Sequence, residues 1–154
     1  MTTLSLRRNA PFDLAPFAAL VDDAGDLARV NPNAKFPVDP LEWQEKWLGE
    51  PDDVSFYILN DAGREVGFFA LRVGVGPEVR HLTYVYLAPS LRGGAGAEVT
   101  ALVERAAREL RALSVMLKCD LDNAPALNAY AAAGYEELGR RDGVATLRWD
   151  LDRG

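Results

Sequence analysis

The sequence predicts an α/β fold: one central, mostly antiparallel mixed sheet with a single parallel βαβ crossover. Three observations carry this expectation. Residues 54–59, 65–73 and 80–87 are β-branched or aromatic runs separated only by short turns rich in Gly, Asn and Pro. After residue 88 the pattern changes to helical periodicity alternating with strands. The chain has 154 residues, 49% hydrophobic and 26% charged, the size and composition of one domain over residues 1–154.

Taken in order, residues 3–7 alternate polar and apolar side chains and read as the first strand. Asp13 is a candidate N-cap for a helix that ends near Gly25. Leu14, Phe17, Leu20 and Val21 fall on one face of it, and Pro16 sits in the first turn, where proline is tolerated. Residues 31–40 hold three prolines and two asparagines and read as a loop. Residues 41–48 form a short helix with Trp43 and Trp47 one turn apart. The three strands follow, then a loop over residues 88–97. A helix comes next, with Val99, Leu102, Val103, Ala106, Leu110 and Leu113 on one face. Residues 115–120, 124–133, 135–139 and 144–151 read as strand, helix, strand and strand, with Arg141-Asp142-Gly143 turning the last pair. The expected order is therefore β-α-α-β-β-β-α-β-α-β-β.

Composition excludes several classes. Seventeen basic residues stand against 23 acidic ones, a net charge of −6, which opposes binding to nucleic acid or to an anionic membrane surface. No apolar run reaches the 18 residues needed to cross a bilayer. His81 is the only histidine and Cys119 the only cysteine, so no zinc cluster, no disulfide and no Ser-His or Cys-His chemistry is expected. The first residues lack an apolar signal core, and the expected compartment is the cytoplasm.

The informative stretch is Tyr86-Leu87-Ala88-Pro89-Ser90-Leu91-Arg92-Gly93-Gly94-Ala95-Gly96-Ala97. A strand ends, small residues follow, and a helix begins at once. Small residues let the backbone approach a ligand, and the N–H groups of the first helical turn point at it. Such a loop suits a pyrophosphate, with Arg92 as a fixed charge; a purely structural turn fits the same pattern. It is not a P-loop, which needs Gly-Lys-Ser/Thr. Gly94-x-Gly96 with Asp120 downstream partly fits a dinucleotide fingerprint, but Val99 holds its third glycine position.

Leu87-x-Pro89-x-x-Arg92-Gly93-x-Ala95-x-Ala97 resembles the acetyl-CoA loop of the GNAT superfamily of N-acetyltransferases, Q/R-x-x-G-x-G/A. The stretch Asn123-Ala124-Pro125-Ala126-Leu127-Asn128-Ala129-Tyr130-Ala131-Ala132-Ala133-Gly134-Tyr135 matches that superfamily's N-x-x-A-x-x-x-Y-x-x-x-G-F/Y at every fixed position. The element order is also the superfamily's. Ala95 stands where a glycine is usual, so either its amide still serves or Gly94 and Gly96 take the close contacts.

The resemblance implies transfer of acetyl from acetyl-CoA, with no metal, directly to a primary amine of a small molecule or peptide. It implies that the backbone of Arg92, Gly93, Gly94, Ala95, Gly96 and Ala97 holds the pyrophosphate. In that superfamily the strand ending at Leu87 splays from the next one to admit the cofactor, and a backbone N–H near Leu87 donates to the thioester oxygen. Asn123 would touch the pantetheine, and Tyr130 would give a proton to the leaving thiolate. The other reading of Tyr130 is a ring packed on its helix. A homodimer is common in the superfamily.

The base that takes the amine proton is not named by the sequence. His81, Glu78, Tyr84 and Tyr86 are candidates, each with a turn, surface or core role as the alternative. Trp43 and Trp47 wall a substrate pocket or belong to the core, and Cys119 reads as a small buried side chain. A non-catalytic acyl-CoA-binding sensor is the rival to an enzyme. Residues 9–54 hold ten acids and three bases, net −7, leaving +1 for the rest. That charge would draw a cationic amine, or simply solvate the surface.

Overall fold

A computed structural model describes residues 3–76, 78–92 and 94–151. Its strands are β1 (Ser5–Arg8), β2 (Val54–Leu59), β3 (Glu65–Val73), β4 (Val79–Leu87), β5 (Ser114–Asp120), β6 (Glu136–Arg141) and β7 (Val144–Asp150). Its α-helices are α1 (Ala15–Leu20), α2 (Ala24–Val30), α3 (Pro40–Lys46), α4 (Gly96–Glu109) and α5 (Ala124–Ala132). The strands form one seven-stranded sheet, in the order β1-β2-β3-β4-β5-β7-β6. β1 with β2, β5 with β7 and β6 with β7 pair antiparallel; β4 with β5 pair parallel. The mixed sheet and the parallel β4–β5 crossover are as expected.

Three helices, not two, precede β2. The apolar run from Leu14 stops at Val21, because Asp23 takes an extended backbone and accepts the N–H of Asp26 at 2.9 Å, starting a new helix. Gly25 thus lies inside α2 instead of closing α1. Asp13 is not the N-cap of α1 as expected: Leu14 holds that position with no side-chain cap, and Asp13, one residue earlier, accepts the Ala15 N–H at 2.9 Å. Asp39 is the N-cap of α3, its carboxylate accepting the N–H of Leu41. Further on, α4 ends at Glu109, so Leu113, expected on its buried face, lies beyond it and is 54% exposed. The loop before α4 contains a 3-10 turn at Pro89–Leu91.

The chain groups into two compact units: Met1–Ala70 with Thr83–Leu91, and Leu71–Leu82 with Arg92–Gly154. In the first, Phe17, Trp43, Tyr57, Phe68 and Tyr86 are buried together with Leu14, Val21, Leu27 and Leu48. Trp43 is the hub: its ring lies 5.1 Å from Phe17, 5.0 Å from Trp47 and 5.0 Å from Tyr84. In the second, one face of α4 (Val99, Leu102, Val103, Ala106) is buried, as are Val115, Leu117 and Cys119 of β5 and Ala145 and Leu147 of β7. Burying such side chains is the main stabilising contribution in each unit.

Candidate acetyl-CoA site

The loop leading into α4 lies in the second unit. Ala95 is the residue before the helix, with φ −108° and ψ 10°, and no side chain caps it. Its carbonyl accepts the Val99 N–H at 2.9 Å. A negative φ places no strain on alanine, so the departure from glycine at this position leaves the amide intact. The amides of Gly96 and Ala97 belong to a first turn that has no intrahelical acceptors for them, at the positive end of a helix of 14 residues.

The two neighbouring glycines differ. A Cβ on Gly96 would sit 2.9 Å from the Ala129 Cβ, so Gly96 is demanded by the close approach of α4 to α5. A Cβ on Gly94 would meet nothing within 4 Å. The protein's own packing therefore explains Gly96 and not Gly94. Arg92 is exposed at the start of this segment. Gly93 lies outside the described residues. Leu87 is the half-buried last residue of β4, in the first unit.

The second stretch is accounted for almost residue by residue. Asn123 is the N-cap of α5, its side-chain oxygen accepting the Ala126 N–H at 3.4 Å. At the other end the Gly134 N–H donates to the Ala131 carbonyl and the Tyr135 N–H to the Tyr130 carbonyl, both at 3.1 Å. Gly134 takes φ +103°. This is a Schellman cap: glycine supplies the left-handed residue, and the side chain after it packs back on the last turn. That contact is between Tyr135 and Tyr130, whose rings lie 5.3 Å apart, edge to face.

Tyr130 has more than this structural duty. Its hydroxyl makes no hydrogen bond among the described residues. Burial, with a smaller contribution from the Cys119 thiol, pushes its phenol above the usual tyrosine range. Like an ordinary tyrosine, it stays protonated at neutral pH. Burial also raises Tyr135, followed by the effects of Tyr130 and Glu104, and it raises Cys119 itself. Cys119 is 7% exposed, as expected of a small core side chain.

Sequence reasoning missed Trp149. Its ring lies 5.8 Å from Tyr135, and with Tyr135, Ala97, Thr100, Ala101, Glu104 and Ala133 it lines a shallow groove of about 170 Å³. Period-two alternation along β7 puts Trp149 on the same side as Ala145 and Leu147, but only tertiary packing brings it to Tyr135.

The remaining candidates fall elsewhere. Tyr86 is a core residue whose hydroxyl donates to the Leu20 carbonyl at 3.3 Å. Tyr84, at φ +54°, lays its ring on Trp43. Trp43 is fully buried and Trp47 half-buried. His81 stands opposite Met116 in the β4–β5 ladder, which has only three residue pairs, from Val79↔Ser114 to His81↔Met116. A Cβ on Gly74 would lie 2.6 Å from the His81 ring, so the imidazole covers the turn after β3. Glu78 is exposed, and its carbonyl accepts the N–H groups of Leu113 and Ser114. Among the described residues no group of three His, Cys, Asp or Glu is placed to hold a metal, and no helix is long and apolar enough to cross a membrane.

The seven-stranded mixed sheet, with a loop of small residues leading into α4, is the α/β class expected from the sequence. The chain belongs to the GNAT acetyltransferase family, whose profile matches residues 21–135. Three solved structures are similar in fold. A spermidine N-acetyltransferase from Vibrio cholerae, in complex with CoA and spermine, is 15% identical, with a TM-score of 0.78 over 97% of this chain and 96% of that one. A protein provisionally assigned as a phosphinothricin N-acetyltransferase is 20% identical, with a TM-score of 0.76 over 97% and 99%. The Campylobacter jejuni N-acetyltransferase PseH is 12% identical, with a TM-score of 0.66 over 96% and 97%. No protein of curated function matches the sequence.

Proposed function

We propose that the protein transfers acetyl from acetyl-CoA to the primary amine of a small, cationic acceptor, with Tyr130 as the proton donor. The observation that carries this is the half-buried phenol of Tyr130, whose hydroxyl has no hydrogen-bond partner among the described residues, in the same unit as the amide loop before α4. Family membership and a structural neighbour that holds CoA support the cosubstrate. The amides of residues 94–97 take the pyrophosphate oxygens. The acceptor nitrogen attacks the thioester carbonyl carbon, forming a C–N bond, and the C–S bond breaks as the tetrahedral adduct collapses. The ammonium form of the acceptor loses one proton to water before attack; Tyr130 gives its proton to the departing thiolate and regains one, through water, from the nitrogen that becomes the amide. No covalent enzyme intermediate is needed.

A cationic acceptor is supported by the acidity of residues 9–54 and by the polyamine in the neighbouring complex. The experiment is an acetyl-transfer assay over an amine panel, reading released thiol. Polyamines should be acetylated, with a KM that rises with salt. Tyr130→Phe should lower kcat by about 100-fold, within the range for a lost general acid, while acetyl-CoA affinity stays within twofold. Acetyl-CoA should also raise the Tm. Unchanged turnover in Tyr130→Phe removes Tyr130 from the mechanism, and NAD or ATP raising the Tm in place of CoA overturns the loop assignment.

A further inference from the structure

We propose that Tyr135 and, behind it, Trp149 are positioning residues that set the direction of the Tyr130 hydroxyl. This rests on Tyr130 being the proton donor. A phenol can be aimed by hydrogen bonds to its oxygen or by packing of its ring. Among the described residues none makes such a hydrogen bond to Tyr130, so within the protein it is ring packing that holds it. The ring it meets is Tyr135, edge to face at 5.3 Å, a geometry that favours one mutual orientation.

Tyr135 is in turn fixed from both sides. Its backbone N–H is tied to the Tyr130 carbonyl by the Schellman cap, so its Cα cannot drift from the last turn of α5. Its ring leans on Trp149 at 5.8 Å. Trp149 also covers the cap glycine: a Cβ on Gly134 would lie 3.4 Å from the indole nitrogen. The groove beside α4 opens on the same two rings, leaving them room to shift if either is cut down. The charged and titratable groups acting on these phenols are Cys119 from β5 and Glu104 from α4. Neither donates to or accepts from the Tyr130 oxygen, so the ring contacts set its direction. Proton transfer needs close approach and alignment, and a loosened ring loses turnover without losing cosubstrate.

The test is a double-mutant cycle read as kcat with acetyl-CoA affinity measured alongside. Tyr135→Leu should lower kcat about tenfold, and Trp149→Leu about threefold, with affinity within twofold of wild type. Tyr135→Phe, which keeps the ring, should restore kcat to within twofold. In a Tyr130→Phe background, Tyr135→Leu and Trp149→Leu should cause no further loss, because the group they aim is gone. An equal loss in that background would show a general structural role and overturn the inference, leaving Tyr130 as donor. Full kcat in a folded Trp149→Leu and Tyr135→Leu pair would also overturn it. Should Tyr135→Leu fail to fold, the Trp149→Leu cycle decides alone. If Tyr130→Phe itself is fully active, the donor assignment falls and the inference with it.

Discussion

The first unit carries twelve acids against six bases, and the second eleven against eleven. The same division runs through their aromatic residues. In the first unit Phe17, Trp43, Tyr57, Phe68 and Tyr86 are committed to a core, and the hydroxyls of Tyr57 and Tyr86 are both hydrogen bonded to backbone. In the second, Tyr130 keeps an unengaged hydroxyl on a helix with no fully buried residue. A phenol with satisfied hydrogen bonds holds structure together; one without them can meet a substrate. The two units thus differ both in net charge and in whether their tyrosine hydroxyls are engaged.

The largest expected effect tests the first unit's side of this contrast. Trp43 is fully buried and touches three other rings, so Trp43→Ala should cost about 3–5 kcal/mol in urea unfolding. The indole N–H has no protein acceptor among the described residues, so Trp43→Phe forfeits only volume and should cost about a third as much. A loss under about 1 kcal/mol for Trp43→Ala would refute the ring cluster as a core.

High pH should separate the units by smaller amounts. Tyr57 donates to the Asp13 carbonyl at 2.6 Å and accepts the Phe17 N–H at 3.3 Å, and burial pushes it up to about 12. The fold therefore favours the neutral phenol. The stability this represents is intact below pH 10, where the unfolded tyrosine is also neutral, and is lost as pH rises from 10 through about 12. The loss attributable to Tyr57 should be on the order of 2 kcal/mol. Tyr57→Phe should flatten that part of the alkaline slope, and Tyr130→Phe and Tyr135→Phe, whose parents are also raised, should flatten the second unit's part. An unchanged slope in Tyr57→Phe would deny that its hydroxyl is buried in solution.

The contrast also explains what was legible in the sequence. Asn123, Tyr130, Gly134 and Tyr135 occupy fixed places along one helix, so their spacing alone encodes a cap at each end. Asp142-Gly143, both at positive φ, likewise mark a two-residue hairpin that sequence identifies directly. Where long-range packing decides, spacing fails. Tyr84 and Tyr86 read equally well as cleft or core, and the Tyr86 hydroxyl turns out to meet Leu20, 66 residues away. Trp149 had no motif to mark it, since its partner Tyr135 is reached only through the sheet. The break between α1 and α2 was readable in principle: Asp22-Asp23 followed by Ala and Gly offers a fresh cap, which a continuous apolar face concealed.

The smallest effect on stability should come from Gly94, and together with Gly96, at the start of α4, it separates packing from binding within one loop. Gly96→Ala places a methyl 2.9 Å from Ala129, so α4 and α5 must move apart, at about 1–3 kcal/mol. Gly94→Ala places its methyl in open space and should leave stability within about 0.5 kcal/mol of wild type. If the cosubstrate's pyrophosphate comes up against the backbone there, that same methyl should weaken acetyl-CoA binding about tenfold, because it occupies the ligand's approach and removes nothing from the protein. Calorimetric affinities for the two variants decide between these roles. Wild-type affinity in Gly94→Ala would move the close approach away from residue 94. A Gly96→Ala protein with unaltered unfolding but weakened binding would exchange the two assignments, making Gly96 the ligand's residue and its contact with Ala129 incidental.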